Sequence, residues 1–181
     1  MTAKRELESI AEALTPPFLL AALLLCLAGA AKLRSPAGAA RALEALGLPA
    51  RPAWVRVLGA GELALGVLGA VAPGRVAAGA LACLYGLFAA VAIALARRRA
   101  VCGCFGENEA PASPAQAILS SAFALVGLAA AVIAPAHGLG WVLGRPPVSV
   151  VALMIGLAGS AYGAAIVYTE LPPAWSAWRQ A

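Results

Sequence analysis

The stretch 76-VAAGALACLYGLFAAVAIALARRR-99 decides the fold. From Val76 to Ala96 no residue carries a charge, and three arginines then close the run. About 18 or more consecutive apolar residues are long enough, as a helix, to cross the hydrocarbon core of a bilayer. Four further runs of the same kind cover 14–31, 57–72, 117–135 and 148–169. The run at 57–72 is the shortest, and it reaches spanning length when counted from Trp54. A bilayer offers no water to the backbone, so each segment must pair its own amides, and helices do this segment by segment. Transmembrane strands would alternate apolar and polar residues, and these runs are continuous. The expected fold is therefore all-α, a polytopic transmembrane helix bundle.

Composition agrees. The chain is 62% apolar and 12% charged, against roughly a quarter charged in soluble domains. The net charge of +5 does not point to nucleic acid, because the cations sit in the short connections between spans, where they set membrane orientation. Lys4, Arg5, Arg75 and Arg145 fall on one side, four in all. Lys32, Arg34, Arg41, Arg51, Arg56, Arg97, Arg98, Arg99 and Arg179 fall on the other, nine in all. The excess assigns the second side to the cytoplasm of a plasma-membrane protein, with the N-terminus outside. The apolar run at 18–28 ends in Ala28-Gly29-Ala30, similar to a signal-peptide cleavage site, but Glu6, Glu8 and Glu12 precede it. A signal peptide begins with a basic region, so the first helix is kept.

Along the chain, residues 1–13 read as an amphipathic lead-in ended by Pro16-Pro17. A membrane domain over 14–135 follows, then a further transmembrane helix at 147–169 and a tail at 170–181. Within the domain, Ser35-Pro36 can start an interfacial helix over 36–47, stopped by Gly47 and Pro49. Its Ala39, Ala42, Leu43 and Leu46 face one side, with Arg41 and Glu44 nearer the other. Ser113-Pro114-Ala115-Gln116 forms a capping box at the start of the fourth span. Gly156, Gly159, Ser160 and Gly163 in the fifth span read as a helix-packing face. Trp54, Trp141, Trp175 and Trp178 lie near span ends, where indoles anchor.

Four cysteines punctuate this frame. Cys26 and Cys83 lie inside spans, where cysteine packs as a small apolar residue. Cys102 and Cys104 flank a glycine in the polar loop 100–113, behind Arg97, Arg98 and Arg99. Nearby cations lower a thiol's pKa and raise its thiolate fraction. A disulfide across one intervening residue is strained, and strained disulfides exchange readily. Cys83 is 13 residues before Ala96, roughly 20 Å along a helix, too deep for a disulfide with the loop, which needs Cα atoms within about 7 Å. Two other readings stay open for the loop pair. They can pack under the loop as small residues, or form half of a metal site completed by carboxylates such as Glu107 and Glu109 or by a second subunit. A zinc site wants four ligands, and the single histidine, His137, falls on the opposite side, so no metal is expected. No haem-attachment motif and no quinone or flavin fingerprint is present, and no cofactor is expected.

One acid lies inside an apolar run: Glu62, within 59-GAGELALGVLG-69. Such a residue is costly in lipid and marks a functional position with a partner. Lys32 closes the first span on the same side and is the partner of choice, ahead of Arg56. The pair can serve to fix how the two helices meet, or to handle protons.

Three motifs in this order resemble the MauE/DoxX-type redox-associated membrane proteins, the methylamine utilisation protein MauE family. They are Gly29-Ala30-Ala31-Lys32-Leu33 with Pro36, Gly61-Glu62-Leu63-Ala64-Leu65-Gly66, and Cys102-Gly103-Cys104-Phe105-Gly106 after a basic helix end. The similarity covers about residues 15–135. It implies a DoxX-like four-helix core, to which this chain adds a fifth C-terminal span. It further implies thiol–disulfide chemistry in support of disulfide formation or maturation of a partner, as the namesake is associated with the disulfide-rich small subunit of methylamine dehydrogenase. Cys102 and Cys104 would then be catalytic, Glu62, Lys32 and the three arginines supporting, and Cys26 and Cys83 relay stations. The implied partner is a separate thioredoxin-like or disulfide-containing protein, beside the lipid bilayer itself. Two alternatives belong to other classes: a small proton-coupled transporter using Glu62, and a membrane accessory subunit with no chemistry of its own. Serine at both loop cysteines would silence the first reading and spare the second.

Overall fold

The computed structural model describes residues 2–100 and 112–169. Cys102, Cys104, Glu107 and Glu109 lie outside the described residues, as does the tail with Trp175, Trp178 and Arg179. The described elements are all helical: α1 Thr2–Arg34, α2 Ala37–Ala45, α3 Pro52–Val71, α4 Arg75–Arg97, α5 Pro114–Val132, α6 Leu139–Leu143 and α7 Pro147–Thr169. Five of them, α1, α3, α4, α5 and α7, are long and apolar enough to cross a membrane.

The expected break after residue 13 does not occur. α1 runs without interruption from Thr2 through Pro16 and Pro17 to Arg34. Residues 3–14 are dominated by strong helix formers, and prolines are tolerated in membrane helices where side chains re-satisfy the backbone. Here the Thr15 hydroxyl donates to the Ala11 carbonyl at 2.7 Å. The same oxygen accepts the His137 N–H at 2.9 Å, tying α1 to the segment after α5.

Other helix ends follow local chemistry. α2 starts at Ala37 with Pro36 as its N-cap, one residue later than expected. It stops in a Schellman turn: Gly47 takes φ +77°, its N–H reaches the Glu44 carbonyl, and the Leu48 N–H reaches that of Leu43. Only glycine enters that backbone region at no steric cost. α3 and α5 each open on proline, where no amide is needed. At α5 the Ser113 N–H donates to Gln116 Oε1 at 3.0 Å, the reciprocal arm of the anticipated capping box. α5 ends at Val132, short of the 117–135 run, because the residue before Pro135 is pushed out of the helical region.

The bundle is two tight helix pairs, α1 with α3 and α4 with α5, joined mainly through α1 against α5. In lipid the hydrophobic effect does not drive helices together, so packing depends on close approach. Gly29 achieves this for the first pair: a Cβ there would lie 2.5 Å from the Gly59 carbonyl oxygen. Between the pairs a core forms from Phe18, Leu19, Leu25, Leu81, Tyr85 and Phe123. The Tyr85 hydroxyl crosses it to donate to the Ala21 carbonyl at 2.7 Å. α7 leans on this core through Leu157 and Ala164. Its Gly156, Gly159, Ser160 and Gly163 are exposed, which corrects the expected packing face. A Cβ on any of the three glycines would meet nothing within 4 Å, because α7 meets the core through a different stripe, Leu153, Leu157, Ala161 and Ala164.

Candidate functional site

The site grows from two glycines. Gly29 of α1 and Gly59 of α3 lie backbone to backbone, and each is followed three residues later by a charge, Lys32 and Glu62. A Cβ at Gly59 would sit 2.9 Å from the Lys32 Cβ, so that glycine makes room for the lysine stem. Side chains tilt toward their helix N-terminus. With α1 and α3 antiparallel, Lys32 therefore leans into the bundle and Glu62 leans back toward it. Lys32 Nζ donates to Glu62 Oε2 at 2.7 Å, with side-chain exposures of 6% and 0%. The ammonium also lies 5.5 Å from the centre of the Phe88 ring, within reach of a cation–π contact. The partnership inferred from the charges is made.

The pair is not fully satisfied. Glu62 Oε1 is buried without a hydrogen-bond partner, so one carboxylate oxygen keeps lone pairs that can take a proton. Beside the pair lies a cavity of about 210 Å³, with Lys32, Tyr85, Phe88, Ala92, Gln116 and Ser120 among its lining residues. It occupies the seam between the two helix pairs, under α2. Gln116, Ser120 and Tyr85 are buried and did not emerge from the sequence. Gln116 reads there only as a cap, and isolated Ser or Tyr in an apolar run carries no signal of its own.

The remaining candidates are spread out. Cys26 sits at the α1–α3 contact, where its sulfur fills the space beside Gly66 and lies 3.9 Å from the Leu63 carbonyl. Cys83 is exposed on α4, contrary to the buried packing role expected for it. It lies two residues from Tyr85, about 200° around the helix, and Tyr85 faces α1, so Cys83 points outward. Arg97, Arg98 and Arg99 are exposed. The Arg98 guanidinium donates to the carbonyl of Ala45, placing a cation at the negative end of α2. Arg99 takes φ +53°, closing α4 with the Ala100 N–H on the Leu95 carbonyl at 3.0 Å. The two ends of the following loop are drawn together by the Ala112 N–H on the Ala100 carbonyl at 2.9 Å. Among the described residues no three His, Cys, Asp or Glu side chains group as a metal site.

No curated protein and no solved structure matches the chain. The family described as Methylamine utilisation protein MauE matches residues 11–137. That match takes in α1 from residue 11 onward through α5, the Lys32–Glu62 pair and the sequence 100–113 with Cys102 and Cys104, and it stops before α6 and α7. The chain belongs to the MauE family of membrane proteins.

Proposed function

We propose that the chain is the membrane component of a thiol–disulfide exchange system, supporting disulfide formation or maturation of a partner protein. The observation that carries this reading is the Cys102-Gly103-Cys104 pair inside the family match. Its thiols follow three exposed arginines, and cations favour the thiolate. In the exchange, one thiolate attacks a partner disulfide and forms a mixed disulfide, releasing one partner thiolate. The second cysteine attacks the mixed disulfide, releasing the other. The Cys102–Cys104 pair thereby loses two electrons and the partner gains them. Run in the opposite sense, a partner thiolate attacks the Cys102–Cys104 disulfide and the partner is oxidised. In this reading the exchange partner is a thioredoxin-like or disulfide-containing protein. The cation count assigns the pair to the cytoplasmic face of the plasma membrane. Lys32 and Glu62 support this arrangement by holding α1 against α3.

A second reading is favoured by the unpartnered Glu62 Oε1: proton-coupled transport with Glu62 as the exchanging group. Serine at both Cys102 and Cys104 separates the two. In a strain lacking the native protein, the double variant should abolish partner maturation while accumulating normally in the membrane. Full complementation by that variant would sink the thiol reading and leave the transport reading standing.

A further inference from the structure

The cavity under α2 offers an occupant almost nothing but carbon. Lys32, Tyr85, Gln116 and Ser120 border it, but each already has a partner within the protein. Lys32 has the Glu62 carboxylate, Tyr85 the Ala21 carbonyl, Gln116 the Ser113 N–H, and Ser120 a contact of its own. The rest of the wall is leucine, alanine, valine and phenylalanine. A polar group entering such a space would lose water without gaining a partner, so the wall selects hydrocarbon. We propose that the cavity holds one acyl chain of an anionic phospholipid, whose headgroup rests on the arginines around α2.

Size and direction suit a chain. An apolar cavity of about 150 Å³ takes benzene, and on that scale one of about 210 Å³ has room for about eight chain carbons. On α1 its lining runs from Leu24 to Lys32, ~12 Å at the helical rise, so the space is drawn out along the bundle axis, parallel to the lipid chains. Leu58 of α3 and Leu87 of α4 line it and are exposed on the outside of the bundle. The gap between those helices therefore opens to the acyl region. Leu48, in the turn after α2, also lines the cavity and is half exposed, so the space reaches the surface at the basic end as well.

Charge selects the lipid class. Arg41 adjoins the lining residue Ala42, and Arg51 follows Leu48 by three positions. Arg98 donates to the carbonyl of Ala45, between the lining residues Leu43 and Leu48. All three arginines are exposed, and Glu44 is the one exposed acid at this end among the described residues. Guanidinium groups pair strongly with phosphate, and basic rims between membrane helices attract anionic headgroups. A zwitterionic lipid brings its own ammonium to the arginines and gains less. An acidic protein would match the arginines but supply no chain for the cavity. The site is independent of the thiol chemistry above, since it uses neither Cys102 nor Cys104.

The test equilibrates the purified full chain, in detergent micelles, with equimolar phosphatidylglycerol and phosphatidylcholine of identical acyl chains. Lipid retained per chain is then counted by native mass spectrometry. One phosphatidylglycerol per chain is expected, at least fivefold above phosphatidylcholine. Ala92→Phe fills the cavity and should lower that retention at least tenfold. Val151→Phe, on the exposed face of α7, should leave it unchanged. Arg41→Gln with Arg51→Gln changes only exposed positions and should cut the preference between the two lipids to less than twofold, which decides the matter if the bulky variant does not fold. No retained lipid, wild-type retention in Ala92→Phe, or an unchanged preference in the arginine variant would each overturn the proposal. Equal retention of the two lipids by the wild-type chain would overturn it too, and would leave the arginines to an acidic protein surface.

Discussion

Neutralising Glu62 should damage the protein more than any comparable change at its surface. Lys32–Glu62 and Arg145–Glu12 have nearly the same length, 2.7 and 2.8 Å, but their side chains are 6% and 0% exposed in the first pair against 37% and 52% in the second. In the exposed pair water screens the attraction, and such pairs are worth ~0–1 kcal/mol. In the buried pair neither ion has an alternative partner in solvent. Glu62→Gln leaves a buried ammonium without its counter-charge, and Lys32→Met leaves a carboxylate whose Oε1 already lacks a partner. Breaking a buried pair from one side costs ~3–5 kcal/mol, whereas replacing both partners by well-packed neutral residues is close to neutral. Each single variant should thus lower the melting temperature by about 6 °C or more, for a chain of this size. The double variant Lys32→Met with Glu62→Gln should recover most of that loss.

Thermal unfolding in detergent, followed by circular dichroism, gives all four corners of the cycle. A coupling of ~3 kcal/mol or more is expected for the buried pair and below ~1 kcal/mol for Arg145–Glu12. Equal shifts at the two pairs would refute the reasoning, as would a double variant no more stable than either single one.

Other expectations follow from particular contacts. Gly29→Ala places a methyl against the Gly59 carbonyl and the Leu63 amide and should cost ~1–3 kcal/mol, read as a lower melting temperature. Gly61→Ala, two residues past Gly59 with nothing within 4 Å of its Cβ, should cost nothing. Arg99→Gly relieves a left-handed backbone at φ +53° and should raise stability by about 1 kcal/mol in the same assay. Thr15→Val removes the acceptor of the buried-end His137 N–H and should cost ~1–3 kcal/mol, with faster hydrogen exchange at that amide.

The membrane architecture was open to reading because lipid leaves little choice: an apolar run of spanning length has to be a helix. The Lys32–Glu62 contact was legible for a related reason, since charges at the edge of so apolar a bundle are few and each needs a partner. Features set by the third dimension were not. Pro16 and Pro17 look like a helix end, and only the Thr15 hydroxyl and its contact with the segment after α5 show how the helix carries on. The small residues of α7 have the spacing of a packing face, but spacing does not say which stripe meets the bundle. Arg98 belongs by position to the thiol loop and by contact to the end of α2. The cavity depends on Gln116, Ser120 and Tyr85, which come together from two helices and leave no pattern along either.

The central claim, that Cys102 and Cys104 form a redox-active pair, is tested most directly by thiol alkylation. Cells are treated with a membrane-impermeant maleimide, intact or permeabilised, before and after reduction, and labelling of the two cysteines is counted by mass. The account predicts a pair that is partly protected as a disulfide, becomes fully labelled after reduction, and is reached only in permeabilised cells. Rapid labelling of intact cells would reverse the assigned orientation. Two thiols fully labelled whether or not reductant or oxidant has been added would contradict the redox claim itself.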